Sequence, residues 1–163
     1  LNVRLAILTA SDRGSRGERE DTSGDTIEEM AVAIGWELAA RDIVPDDSDE
    51  IASRLKYYSD ELKVDLVLTS GGTGLSPRDV MPEATRQVID RDAPGFAEAM
   101  RAASLSKTPH AMLSRAVSGI RSSTLIINLP GSPRAVRENL EVILPALPHG
   151  LEKLGGDEGE CAT

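Results

Sequence analysis

Short aliphatic runs alternate along this chain with segments whose apolar residues recur at helical spacing. That alternation restricts the fold more than any other feature. Residues 3–9 (V-R-L-A-I-L-T), 36–44, 65–69, 116–120 and 124–129 read as strands. The second run is broken by charge, which suits a position near a sheet edge. A helix capped by Ser23 or Asp25 is expected to run to about residue 34, with Ile27, Met30, Ala31 and Ile34 on one face and Gly35 at its end. A second begins at Ser48 and buries Ile51, Leu55, Tyr58 and Leu62. A third opens at Pro82, carries Ala84, Val88 and Ile89, and is broken at Pro94-Gly95. A fourth spans residues 96–105, with Phe96, Met100 and Ala103 on one side. A last one opens at Pro133 and carries Val136, Leu140, Ile143, Leu144 and Leu147.

Strands that alternate with helices imply parallel β-α-β units, hence a three-layer α/β/α sandwich with a mostly parallel sheet. The short polar turn at residues 121–123 predicts one antiparallel strand. At 163 residues the chain suits a single domain, expected over 1–154, with a flexible acidic tail at 155–163.

Composition removes several function classes. The net charge of -9 opposes general nucleic-acid binding, and four aromatic residues (Trp36, Tyr57, Tyr58, Phe96) are too few for a base-stacking platform. No apolar run reaches the roughly 20 residues of a membrane span. The lone Cys161 makes no internal disulfide, and with only His110 and His149 beside it a zinc site is not expected. The chain reads as soluble and cytoplasmic. Residues 18–65 hold 15 acidic and 5 basic side chains, so an anionic substrate would need locally placed arginine, backbone N–H groups or a metal ion.

In open α/β sheets, ligands bind beyond the carboxyl ends of the strands, which directs attention to four loops. After the third strand comes Ser70-Gly71-Gly72-Thr73-Gly74-Leu75-Ser76-Pro77-Arg78-Asp79. Its glycines permit a sharp turn whose successive N–H groups form an anion-binding nest, with the Ser70 and Thr73 hydroxyls and the Arg78 cation nearby. It is neither a Walker loop nor a dinucleotide fingerprint; a tight turn without a ligand would read the same way. Pro130-Gly131-Ser132-Pro133 places Ser132 to cap a helix whose N-terminus favours an anion. After the first strand, Asp12 and Arg13 either orient a polar ligand or form a surface ion pair. Asp46, after the second strand, is a Mg²⁺ candidate or a turn residue, and Asp79 is a second metal or acid-base candidate.

Taken together, T-S-G-G-T-G-L-S-P-R-D at residues 69–79, Pro82-Glu83-Ala84-Thr85, Pro94-Gly95-Phe96, Leu113-Ser114-Arg115 and Asn128-Leu129-Pro130-Gly131-Ser132-Pro133 resemble the MogA/MoaB family. The likeness runs in order from about residue 3 to 154. It implies transfer of AMP from ATP to the terminal phosphate of molybdopterin, with Mg²⁺ required, in molybdenum cofactor biosynthesis. It implies that Asp46 and Asp79 are the essential aspartates, both catalytic and metal-binding. Ser70, Gly71, Gly72, Thr73 and Gly74 would form the phosphate loop. Asp12, Ser114, Arg115, Pro130, Gly131 and Ser132 would line the remaining pocket for pterin and nucleotide; the loop residues themselves add Arg13 and Arg78 as further expected contacts. A homotrimer or a dimer of trimers is implied, with other cofactor-assembly proteins as possible partners and neither nucleic acid nor membrane. The family also offers a non-catalytic molybdopterin-binding role, and only the enzyme needs both aspartates. The sequence departs from the pattern at Met81, where a helix-cap threonine is common, and its compact C-terminus resembles the shorter, MoaB-like form.

Overall fold

The computed structural model describes residues 2–156 and residue 159. Most of the expected acidic tail, Cys161 included, lies outside the described residues. Among the described residues, six strands form one sheet: β1 (Arg4–Ala10), β2 (Glu37–Val44), β3 (Leu66–Ser70), β4 (Arg91–Asp92), β5 (Ser118–Arg121) and β6 (Thr124–Leu129). Their order across the sheet is β2-β1-β3-β6-β5-β4. The first four in that order are parallel, and β5 runs against both its neighbours.

Period-2 alternation sends successive strand side chains to opposite faces. Leu5, Ile7, Leu66, Leu68, Leu125 and Ile127 enter one core, with Ile27 and Met30 of α2 (Thr22–Ala33), Met100 of α5 (Gly95–Leu105), Val136 and Leu140 of α6 (Pro133–Ile143), and Leu147 and Leu151 of α7 (Leu147–Leu154). Ala6, Leu8, Val67 and Ile126 enter the other, with Ile51 and Leu55 of α3 (Ser48–Lys56) and Met81, Ala84 and Val88 of α4 (Met81–Val88). The three layers follow from this two-sided burial. The charged run β2 is indeed an edge strand, half-exposed along most of its length.

Several local expectations are corrected. The stretch read as a loop contains a one-turn helix, α1 (Asp12–Ser15). Helix α2 is capped by Asp21, whose carboxylate accepts the Gly24 N–H, rather than by Ser23 or Asp25. Ile34 lies beyond its end and is half exposed. The stripe after Ser48 continues past α3 as a π-helical turn at Tyr57–Glu61, which keeps Tyr58 buried. The last helix is two: α6 stops at Ile143 and α7 starts at Leu147, because Pro145 has no N–H to continue the ladder and Pro148 is suited to a new first turn. Met81 is the first residue of α4 rather than its cap. Val80 holds the cap position without a side-chain bond, and the Met81 N–H donates instead to Gly72 O at 3.0 Å.

Candidate active site at the switch point of the sheet

From β1 the chain crosses to β2 on one side and later to β3 on the other, so the carboxyl ends of β1 and β3 flank a topological switch point. A cavity of about 830 Å³ opens there. Its floor is the strand ends, Thr9, Ala10 and Ser70, continued by Gly71 and Gly72. Gly71 (φ +88°) and Gly72 (φ +69°) adopt left-handed conformations. A Cβ at Gly71 would lie 2.5 Å from the Ala10 carbonyl oxygen, so only glycine lets β3 leave the sheet this close to β1.

Two helix N-termini face this floor. Thr22 and Ser23 of α2 line one wall, and Ser132 and Pro133 of α6 another. Ser132 caps α6 by accepting the Ala135 N–H. The walls are tied together: Ser23 Oγ donates to Gly131 O at 2.6 Å, and Ser70 Oγ donates to Pro130 O at 3.0 Å. Two dipole ends and a glycine turn on one cavity make a setting for phosphate groups.

Asp46 and Asp79 both line the cavity. Asp46 Oδ2 accepts the Asp12 N–H at 3.0 Å, and Asp79 Oδ2 accepts the Ser76 N–H at 3.0 Å. Among the described residues, neither carboxylate is ion-paired. Burial, reinforced by the neighbouring charges of Asp12 and Asp79, raises the Asp46 pKa above the usual carboxylate range. No three His, Cys, Asp or Glu side chains converge as metal ligands among the described residues. Two carboxylates facing a phosphate-sized space are nonetheless a donor set suited to Mg²⁺, which takes oxygen ligands, keeps several waters and completes its shell with substrate phosphates.

Other candidate residues take different places. Asp12 does not line the cavity; it forms a bidentate pair with Arg78 (Nε to Oδ2 3.1 Å, Nη2 to Oδ1 2.8 Å), which holds its carboxyl below the usual range. Arg13 is exposed on α1, away from the cavity lining. Thr73 is buried, and its carbonyl accepts the Arg115 N–H. Arg115 turns from the cavity and clamps the loop: Nε donates to Gly74 O (2.8 Å), Nη2 to Asp79 O (2.7 Å), and both terminal nitrogens to the Glu83 carboxylate. That pairing raises the Arg115 pKa and lowers that of Glu83. Ser114 and Pro130 line a smaller, more apolar cavity of about 210 Å³ beside α5.

The sequence reading missed Asp21, Thr22 and Ser23 as cavity residues, together with Arg41 behind them. Arg41 of β2 donates to the Asp21 carboxylate (3.2 Å), the Asp21 carbonyl (3.0 Å) and the Asp25 carboxylate (2.8 Å), so it fixes the start of α2. The available signal was the length of the unpatterned stretch 11–23, too long for a mere connection.

The fold and cavity define an α/β protein with a polar cavity, suited to anions, at a sheet switch point. Residues 6–149 match the family described as probable molybdopterin binding domain, and the chain belongs to that family. It is 43% identical over 157 residues to the molybdopterin adenylyltransferase of Helicobacter pylori strain J99, covering 95% of this chain and 89% of the relative. It is likewise 43% identical to the molybdopterin adenylyltransferase of Escherichia coli K12, covering 88% of this chain and 75% of the relative. The crystal structure of the molybdopterin biosynthesis enzyme MoaB from Thermus thermophilus superposes with a TM-score of 0.90 at 52% identity, covering 95% of this chain and 98% of that one.

Proposed function

We propose that this chain is a molybdopterin adenylyltransferase. A terminal phosphate oxygen of molybdopterin attacks the α-phosphorus of ATP, the bond between the α-phosphorus and its bridging oxygen to the β-phosphate breaks, and pyrophosphate leaves with that oxygen. The product is adenylyl-molybdopterin. The observation that carries the reading is the cavity itself: two carboxylates with no cation partner among the described residues face a glycine turn and two helix N-termini. The high identity to two adenylyltransferases supports it.

Two anionic reactants repel, so catalysis rests on holding them together and balancing charge. The turn at Gly71 and Gly72 and the α2 and α6 N-termini suit the phosphates. Asp46 and Asp79 would hold Mg²⁺, which when bound supplies positive charge to the polyphosphate. Arg115 contributes by fixing the backbone that carries Gly74 and Asp79. The reading includes a homotrimer or dimer of trimers, to which exposed Leu105, Met112 and Leu113 would contribute apolar contact, and a cytoplasmic setting where ATP is at hand.

The test is to incubate protein, molybdopterin, ATP and Mg²⁺ and look for adenylyl-molybdopterin by mass spectrometry. Product is expected, and Asp79→Asn is expected to lose most turnover while retaining pterin binding. Pterin binding with no product would replace the enzyme by a carrier. An unchanged rate in Asp79→Asn would remove Asp79 from the metal site.

A further inference from the structure

Three carboxylates crowd the ends of β1, β2 and the glycine loop, and among the described residues only one of them is paired with a cation. Asp12 takes both forks of Arg78, while Asp46 and Asp79 are left for the cavity. The arrangement is knitted tightly. The parallel ladder of β1 and β2 continues with Ser11 N–H to Val44 O at 2.9 Å. Beyond it, the side chains take over: Asp46 N–H donates to Asp12 Oδ1 at 3.0 Å, and Asp12 N–H donates to Asp46 Oδ2 at 3.0 Å. Asp12 Oδ1 therefore receives the Asp46 amide and Arg78 Nη2 together. The guanidinium and the Asp46 amide thus share one acceptor oxygen, and the Arg78 charge already acts on the Asp46 carboxyl.

An arginine so placed is a competitor. Its fork matches any carboxylate, and Asp46, with one oxygen accepting a single N–H, has room for it. Were it to pair there, it would occupy the place a divalent cation needs. Resting on the reading of Asp46 as a metal ligand, we infer that Asp12 is a positioning residue: it holds Arg78 and so keeps the Asp46 carboxylate open to a divalent cation. On this account Asp12 touches neither pterin nor nucleotide, in keeping with its place outside the cavity lining.

The experiment measures binding of Mn²⁺ alone, by water-proton relaxation, to the full chain and to Asp46→Asn, Asp12→Asn, Asp12→Ala and the double variant Asp12→Ala/Arg78→Ala. Asp12→Asn keeps an oxygen for the Asp46 amide, and thermal melts check that each variant is folded. Removing the partner that orients a metal ligand typically weakens metal affinity about 10- to 100-fold. Asp46→Asn is expected to abolish Mn²⁺ binding, and both Asp12 variants to weaken it by about tenfold or more. Removing Arg78 as well is expected to restore most of the affinity lost in Asp12→Ala, a recovery that mere loss of structure would not give. If Asp46→Asn loses Mn²⁺ but the Asp12 variants do not, or if the double variant is no better than Asp12→Ala, the inference is overturned and the metal reading stands. If Asp46→Asn binds Mn²⁺ as the parent does, the metal reading falls and the inference with it.

Discussion

Gly71→Ala is the sharpest single test of how the site is built. Two costs meet at this position. The residue sits at φ +88°, where an L side chain is disfavoured by about 1–2 kcal/mol. The new Cβ would also lie 2.5 Å from the Ala10 carbonyl oxygen, and a backbone atom cannot swing aside as a side chain end can. Forcing such an overlap costs about 1–3 kcal/mol through displaced backbone. The two costs are separable, because Gly35 has nearly the same φ, +83°, with nothing within 4 Å of its added Cβ. Gly35→Ala therefore reports the backbone cost alone. For a domain of this size each kcal/mol moves Tm by about 2–4 °C, so Gly71→Ala is expected to melt roughly 2–12 °C below Gly35→Ala. Paired thermal unfolding of the two variants, by circular dichroism in one buffer, gives the difference directly. Nucleotide binding should fall in the Gly71 variant and stay at the parent level in the Gly35 variant. Equal melting temperatures would refute the claim that close approach to β1, rather than turn geometry alone, reserves this position for glycine.

Asn128→Leu should destabilise the chain by about 2–4 kcal/mol in urea titration. The side chain donates to Thr69 and Thr85 hydroxyls and accepts the Val117 N–H, all in the fully buried interior, and leucine leaves that N–H unpaired. A loss below about 1 kcal/mol would mean that the buried network contributes little. The Asp60 carboxyl is lowered by its bidentate bond to Arg121, so the unfolded chain binds its proton more readily. Stability from this pair is present above the unfolded value near 3.8 and is lost as pH falls through the lower folded value. Asp60→Asn should accordingly show a smaller rise in Tm between about pH 2 and pH 5 than the parent, and an identical rise would remove the pair from the acid response.

Much of this architecture was legible because two-sided burial writes itself into sequence. Leu66-Val67-Leu68 is apolar without interruption, as a central parallel strand must be, whereas β2 mixes Arg41 and Asp42 with aliphatics and lies at the edge. The glycine loop was legible because positive φ demands glycine, and the structure finds it at Gly71 and Gly72. What escaped was set by tertiary contact. Strand β4 is only Arg91 and Asp92, exists by pairing with Gly119 and Ile120, and has no pattern of its own. Asp21 rather than Ser23 caps α2 because Thr9 and Arg41, distant in sequence, hold its carboxylate. The family resemblance counts Arg115 among the pocket residues, yet Glu83 and two loop carbonyls engage its whole fork. The family resemblance places Asp12 among the pocket residues, and no motif shows that its carboxylate takes both forks of Arg78 and accepts the Asp46 N–H.

The bond from Ser23 to Gly131 spans 108 residues, and that from Ser70 to Pro130 spans 60. Both walls of the cavity thus wait on β6 and the turn that follows it, late in the chain. During synthesis β1, β2 and β3 emerge first, and β3 remains an open sheet edge until β6 pairs with it. A growing chain that stops short of residue 133 has the glycine turn but lacks the α6 wall. A ligand that bridges the glycine turn and the α6 wall would therefore stabilise the folded chain as a whole rather than a single loop.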